Sequence, residues 1–192
     1  MKKDIILAGV GGQGILSIAT VIGSAALEQD LHLKQAEVHG MSQRGGDVQS
    51  NLRLSSDPIF SDLIPRGGAD LVVSLEPMEA LRYIPFLAPD GWIITNTVPF
   101  VNIPDYPPME AVMGELNKLP HVIAIDVDAI AKESGSARSA NMVLLGATAS
   151  VLGILEPEKL RDGIRRIFGR KGEAIVEANI KAFDAGLASA QK

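Results

Sequence analysis

Short apolar runs alternate with stretches of helical period along most of the chain. Residues 4–9 have the unbroken apolar character of a buried strand, and 14–27, rich in Ala, Ile and Leu, repeat with helical spacing. Residues 31–38 predict a second strand. Residues 48–54 alternate polar and apolar in the two-residue period of a half-exposed strand. Residues 69–75 suit a central strand, and 76–83 a short helix with Pro77 in its first turn. Another strand is predicted at 91–96. The proline-rich stretch 99–108 cannot continue a central strand and reads as an irregular arm or lid. A short helix at 110–119 then leads to a strand at 121–126. The last third is helical. Residues 141–155 are nearly all apolar or small and should be buried or face a partner; Leu160, Ile164 and Ile167 form one stripe ended by Gly169, and Val176, Ile180, Phe183 and Leu187 a second.

Strands alternating with helices imply an α/β fold: a doubly wound, mostly parallel sheet with helices on both faces, Rossmann-like. The length of 192 residues suits a single domain over 1–192, with no internal repeat or linker. A net charge of −5 and an aromatic content of 4% argue against a nucleic-acid partner, which needs a basic footprint and stacking rings. The one basic cluster, Arg161, Arg165, Arg166, Arg170 and Lys171, reads as a solvated helix face. Cysteine is absent, so no disulfide, thiolate nucleophile or cysteine-ligated cluster belongs to these residues. The histidines at 32, 39 and 121 are too scattered for a metal motif. The start runs into a strand without a signal-peptide core, and no apolar stretch is long enough to span a bilayer; the expectation is a soluble, cytoplasmic protein without a membrane partner.

Two glycine-rich segments carry the candidate chemistry. Gly9-Val10-Gly11-Gly12-Gln13-Gly14 links the first strand to the first helix, where backbone N–H groups and a helix N-terminus can face an anion. Gly9, Gly11 and Gly14 match the dinucleotide fingerprint, and Glu37 lies where an acid would bind the ribose of NAD. An NAD-dependent dehydrogenase is therefore one reading, although no catalytic Tyr-Lys or His-Asp constellation follows. A ligand-free tight turn on a non-catalytic scaffold is another. The second segment, His39-Gly40-Met41-Ser42-Gln43-Arg44-Gly45-Gly46, sets a bidentate donor, Arg44, beside two residues free to take positive φ. The pattern suits a phosphate or carboxylate, or simply a sharp turn. His39 is a candidate acid or base, while Ser42 lacks a visible base. Gln13 can orient an anion or bond a neighbouring loop. Asn141 can cap the apolar helix, which is the safer reading, or reach a ligand. Glu76, Asp126 and Asp128 follow strands, where ligands bind and where helices are capped; no metal motif is complete around them.

With Asn141-Met-Val-Leu-Leu-Gly-Ala147, the two segments resemble, in motif order and nearly whole length, the gamma-type domain of the 2-oxoacid:ferredoxin oxidoreductases. The His-Gly-Met-Ser-Gln form of the second segment is most similar to the indolepyruvate-type small subunits of that family. The resemblance implies oxidative decarboxylation of a 2-oxoacid, indolepyruvate or another aryl pyruvate, to an acyl-CoA with reduction of ferredoxin. Thiamine diphosphate, magnesium and iron–sulfur clusters would sit on a larger partner subunit, with coenzyme A as co-substrate. The isolated chain would be inactive, and its self-association stays open. On this reading Gly9, Gly11, Gly12, Gln13, Gly14, Ser42, Gly45 and Gly46 would hold an anion or dock the partner. Arg44 would be the main electrostatic residue, with His39 and Gln43 as secondary contacts.

Overall fold

The first apolar run forms β1 (Lys2–Val10), buried on both faces: Ile5 and Leu7 point to one side, Ile6 and Ala8 to the other. The computed structural model describes residues 1–40 and 45–191. Around β1 a sheet is built from β2 (His32–His39), β3 (Asp47–Ser55), β4 (Ala69–Ser74), β5 (Leu87–Asn96) and β6 (Val122–Ile125), in the order β2-β3-β1-β4-β5-β6. β1, β4, β5 and β6 are parallel, as continuous apolar strands buried by helices on both faces should be.

One face carries α1 (Ile15–Leu27), α4 (Val127–Glu133), α5 (Ala140–Leu152), α6 (Pro157–Phe168) and α7 (Glu173–Ala190); the other carries α2 (Pro77–Arg82) and α3 (Met109–Leu116). The mostly parallel, doubly wound sheet expected from the alternation is thus present. β3 departs from it, pairing antiparallel with both β1 and β2. It is also less exposed than its alternation suggests, because residues 56–66 fold back along it. Buried Asn51 accepts a hydrogen bond from the Ile64 amide (3.2 Å), and Arg53 donates to the carbonyls of Ser61 and Leu63.

Two further differences concern helices. α4 was not evident in the pattern, although Val127, Ile130 and Ala131 share a face and Asp126 caps the first turn by accepting from the Ala129 amide (2.8 Å). Gly169 does not terminate α6 in the left-handed region. Its φ is −54°, the chain runs on through a 3-10 turn, and the positive φ of 105° falls at Gly172. The arginines of α6 are mostly paired, Arg161 with Glu158 and Asp184, Arg165 with Glu158 and Asp162, and Arg166 with Glu28, as expected of a solvated face.

α5 is enclosed, and its packing on α7 is closer than side chains allow. A Cβ on Gly146 would lie 1.9 Å from the Phe183 carbonyl oxygen, and one on Gly186 1.9 Å from that of Val143. The helices meet backbone to backbone, so a methyl group here cannot be absorbed by a rotamer change. Gly146→Ala is expected to destabilise the protein by at least about 3 kcal/mol in denaturant titration. Gly114→Ala, at an exposed position of α3 with nothing within 4 Å, should be neutral or stabilising by up to about 1 kcal/mol.

Candidate functional site

The two glycine-rich segments meet at the carboxyl edge of the parallel strands. Where the β1–β3 ladder ends at Val10 and Asp47, its hydrogen bonding continues into the loops. The Gly11 amide donates to the Gly46 carbonyl (2.8 Å), and the Gly45 amide donates to that of Gly11 (3.4 Å). Gly12 and Gly14 have φ of 102° and 84°, and Gly45 has 77°, a region that favours glycine. The amides of Gly12 and Gly14 have no acceptor among the described residues, and Gly12 is exposed. Gly14 opens α1 without a side-chain cap. The turn therefore retains free donors at a positive helix end, the elements of an anion cradle.

Gln13 is turned inward. Its Oε1 accepts from the Val10 amide (2.7 Å) and its Nε2 donates to the Leu75 carbonyl (3.2 Å). A Cβ on Gly9 would come 2.9 Å from that Oε1, which explains the glycine beneath it. Of the two roles open to Gln13, the structure shows the bond to a neighbouring loop. Asn141 does not cap α5: its Nδ2 donates across the fold to the Gly14 carbonyl (3.2 Å), and Ser139 holds the cap position. His39 ends β2 opposite Val48. Ser42, Gln43 and Arg44 lie outside the described residues.

Topology removes the basis for a ribose contact by Glu37. β3 lies between β1 and β2, so the register Leu7–Ser50–Glu37 places this residue two strands away, about 10 Å across the sheet. Glu37 accepts instead from Gln35 Nε2 (2.8 Å).

Sequence reasoning did not single out Asn96, which completes this edge together with Glu76 and Asp128, both already candidates at strand ends. Buried Asn96 donates to the Leu75 carbonyl (3.4 Å) and to Asp128 (3.1 Å), and its Oδ1 accepts from the amides of Val98 and Val127. Glu76, 1% exposed, caps α2 through the Glu79 amide (2.8 Å). Its second oxygen accepts from the Phe100 amide (3.3 Å) and from the Tyr106 hydroxyl, and so ties down the 99–108 arm. Asn102 donates to the Gly45 carbonyl (2.7 Å), bringing the arm to the second glycine segment with Phe100, Val101 and Ile103 exposed along it. Asp126 and Asp128 serve as cap and acceptor; among the described residues no group of three or more His, Cys, Asp or Glu is placed to hold an ion.

An α/β sheet with a glycine turn at its carboxyl edge defines a class of fold, the Rossmann-like domains, and the comparisons specify it. Residues 4–189 match the model of the pyruvate ferredoxin/flavodoxin oxidoreductase family. The chain belongs to that family. It is 35% identical to the indolepyruvate oxidoreductase subunit IorB of Methanothermobacter thermautotrophicus, over 99% of this chain and 98% of that protein. It is 36% identical to the IorB of Archaeoglobus fulgidus, over 97% and 94%. Among solved structures, it resembles the keto/oxoacid ferredoxin oxidoreductase gamma subunit of Geobacter sulfurreducens, with a TM-score of 0.70, 25% identity and 98% of each chain covered. The fold also recurs in a 2-oxoglutarate:ferredoxin oxidoreductase of Magnetococcus marinus, solved with 2-oxoglutarate, coenzyme A and succinyl-CoA bound; there the TM-score is 0.74 at 24% identity, over 99% of this chain and 31% of that one.

Two measurements test the edge. Gln13→Ala leaves the Val10 amide without its acceptor and should cost about 1–3 kcal/mol in denaturant titration with secondary structure retained. Burial, with Glu79 adding, pushes the Tyr83 phenol up to about 12; burial and then the Glu76 hydrogen bond raise Tyr106 further. Both folded values lie above the unfolded value of 10.0, so their contribution to stability is intact below 10.0 and is lost as pH rises through the folded values. Ultraviolet titration of the folded protein should show no tyrosinate step near pH 10, whereas the urea-unfolded chain shows both tyrosines there.

Proposed function

We propose that the chain is the small, gamma-type subunit of a cytoplasmic 2-oxoacid:ferredoxin oxidoreductase of the indolepyruvate type, forming one domain over 1–192. The enzyme would oxidatively decarboxylate an aryl pyruvate, transfer the acyl group to coenzyme A and pass the electrons to ferredoxin. The observation that carries this reading is the near end-to-end match, at 35–36% identity, to proteins named as indolepyruvate oxidoreductase subunits. The chemistry of the chain agrees with a supporting role. With no cysteine it offers no thiolate to an iron–sulfur cluster, so the clusters would sit on a larger partner, to which the family resemblance also assigns thiamine diphosphate and magnesium.

This chain would supply an electropositive turn for coenzyme A at the edge of that partner's active site. The unengaged amides of Gly12 and Gly14 point to a phosphate group; Arg44 would add a charge-assisted donor, with His39 and Gln43 as secondary contacts and Ser42 in the same segment of the chain. Gly9, Gly11, Gly45 and Gly46 give the turn its shape. Gln13 and Asn141 position the turn without contacting the ligand, because their amides are committed to Leu75 and Gly14.

The test is Arg44→Ala in the assembled enzyme. The KM for coenzyme A should rise about tenfold with that for the 2-oxoacid unchanged. Unchanged coenzyme A kinetics with a weakened complex would make Arg44 an interface residue instead. Decarboxylation by the isolated chain would contradict the subunit reading itself.

A further inference from the structure

Four of the eleven large apolar side chains that stand exposed among the described residues fall within six positions after β5. They are Val98, Phe100, Val101 and Ile103, between 37% and 67% exposed. No charged residue lies between 97 and 104. Exposed apolar clusters of this kind mark contact sites, and the cores of protein interfaces are depleted of charge in the same way.

The backbone that carries these side chains is braced by polar bonds. The Val98 amide donates to Asn96 Oδ1 (3.1 Å) and the Phe100 amide to the buried Glu76 carboxylate (3.3 Å), at the carboxyl ends of β5 and β4. Asn102 donates to the Gly45 carbonyl (2.7 Å), and the Gly45 amide in turn reaches Gly11 just past β1. The Tyr106 hydroxyl returns to Glu76. The arm therefore runs along the carboxyl edge from β5 to the glycine segments, fixed at successive strands while its apolar side chains stay exposed. A loop ordered before contact loses little further freedom on binding.

We infer that this arm is the docking surface for the larger subunit, an inference that rests on the subunit reading above. Two observations select that occupant. The fold of this chain forms only 31% of the Magnetococcus marinus chain, and 97% of this chain matches 36% of the ketoisovalerate oxidoreductase subunit VorA of Methanothermobacter marburgensis at 29% identity. A domain of this type is thus joined elsewhere to a much larger remainder of protein. The arm is also continuous, through Gly45, with the glycine segments that the proposed function sets at the edge of the partner's active site. Four side chains cover only part of the roughly 800 Å² that each partner contributes to a standard interface, so the contact extends from the arm onto those segments.

The test uses the holoenzyme, purified anaerobically from its own host through a tag on this chain and defined by thiamine diphosphate, iron and 2-oxoacid-dependent ferredoxin reduction. In Val101→Asp/Ile103→Asp, the concentration at which the complex half-dissociates on dilution should rise about 100-fold, with the melting temperature of the isolated chain unchanged. Phe60→Asp, at a residue 93% exposed in the cleft beside Lys2 and Ser55 at the opposite edge, should leave that concentration unchanged. In the unmutated protein, hydrogen exchange at the amides of Val101, Asn102 and Ile103 should slow at least tenfold on assembly. A double variant that assembles like the unmutated chain, equal weakening by Phe60→Asp, or unprotected arm amides would overturn the inference and leave the subunit reading standing. An unmutated chain that elutes with neither thiamine diphosphate nor iron would overturn both.

Discussion

The Leu75 carbonyl, at the end of β4, is the point on which the carboxyl edge of the sheet depends. It receives the side-chain amides of Gln13 and Asn96, while the Leu75 amide donates to Ala8 (3.1 Å). Strand ends expose backbone groups that buried surroundings cannot hydrate, so each must find a protein partner. Here two amide side chains do this across three strands. Because Gln13 is committed inward, the glycine turn is held from beneath, and its remaining free donors face outward. The shape of the turn is therefore set before any ligand arrives.

A second constraint acts from the helical layer. The backbone contact between α5 and α7 at Gly146 and Gly186 fixes the position of α5, and α5 carries Asn141 to the Gly14 carbonyl. A Cβ on Gly14 would lie 2.8 Å from Asn141 Nδ2, so the turn and the helix exclude anything bulkier at their junction. Packing in the core thus helps to fix the position of the turn.

Much of this was legible in the residues. Apolar runs located β1, β4 and β5, helical stripes located α6 and α7, and the paired glycine segments located the edge where they meet. What was not legible depends on distant partners. Alternation marked β3 as a strand but carries no information on its neighbours, so its antiparallel insertion between β1 and β2, which moves Glu37 away from β1, could not be read. An amide such as Gln13 or Asn141 has both a donor and an acceptor, and nothing local says which carbonyl it will reach. Asn141 finds Gly14 across 127 positions. α4 was obscured because its seven residues give little periodicity, although its cap, Asp126, stood among the candidate caps.

The structure describes a well-braced domain with a glycine turn that keeps free donors, an exposed apolar arm and no cysteine, features that suit the subunit role proposed above. The most direct test is to capture the tagged full chain from its own host under anaerobic conditions and analyse what elutes with it. The account predicts a larger, cysteine-rich partner carrying thiamine diphosphate and iron, and 2-oxoacid-dependent reduction of ferredoxin by the eluate. A chain that elutes alone and saturated with a nicotinamide nucleotide would contradict it.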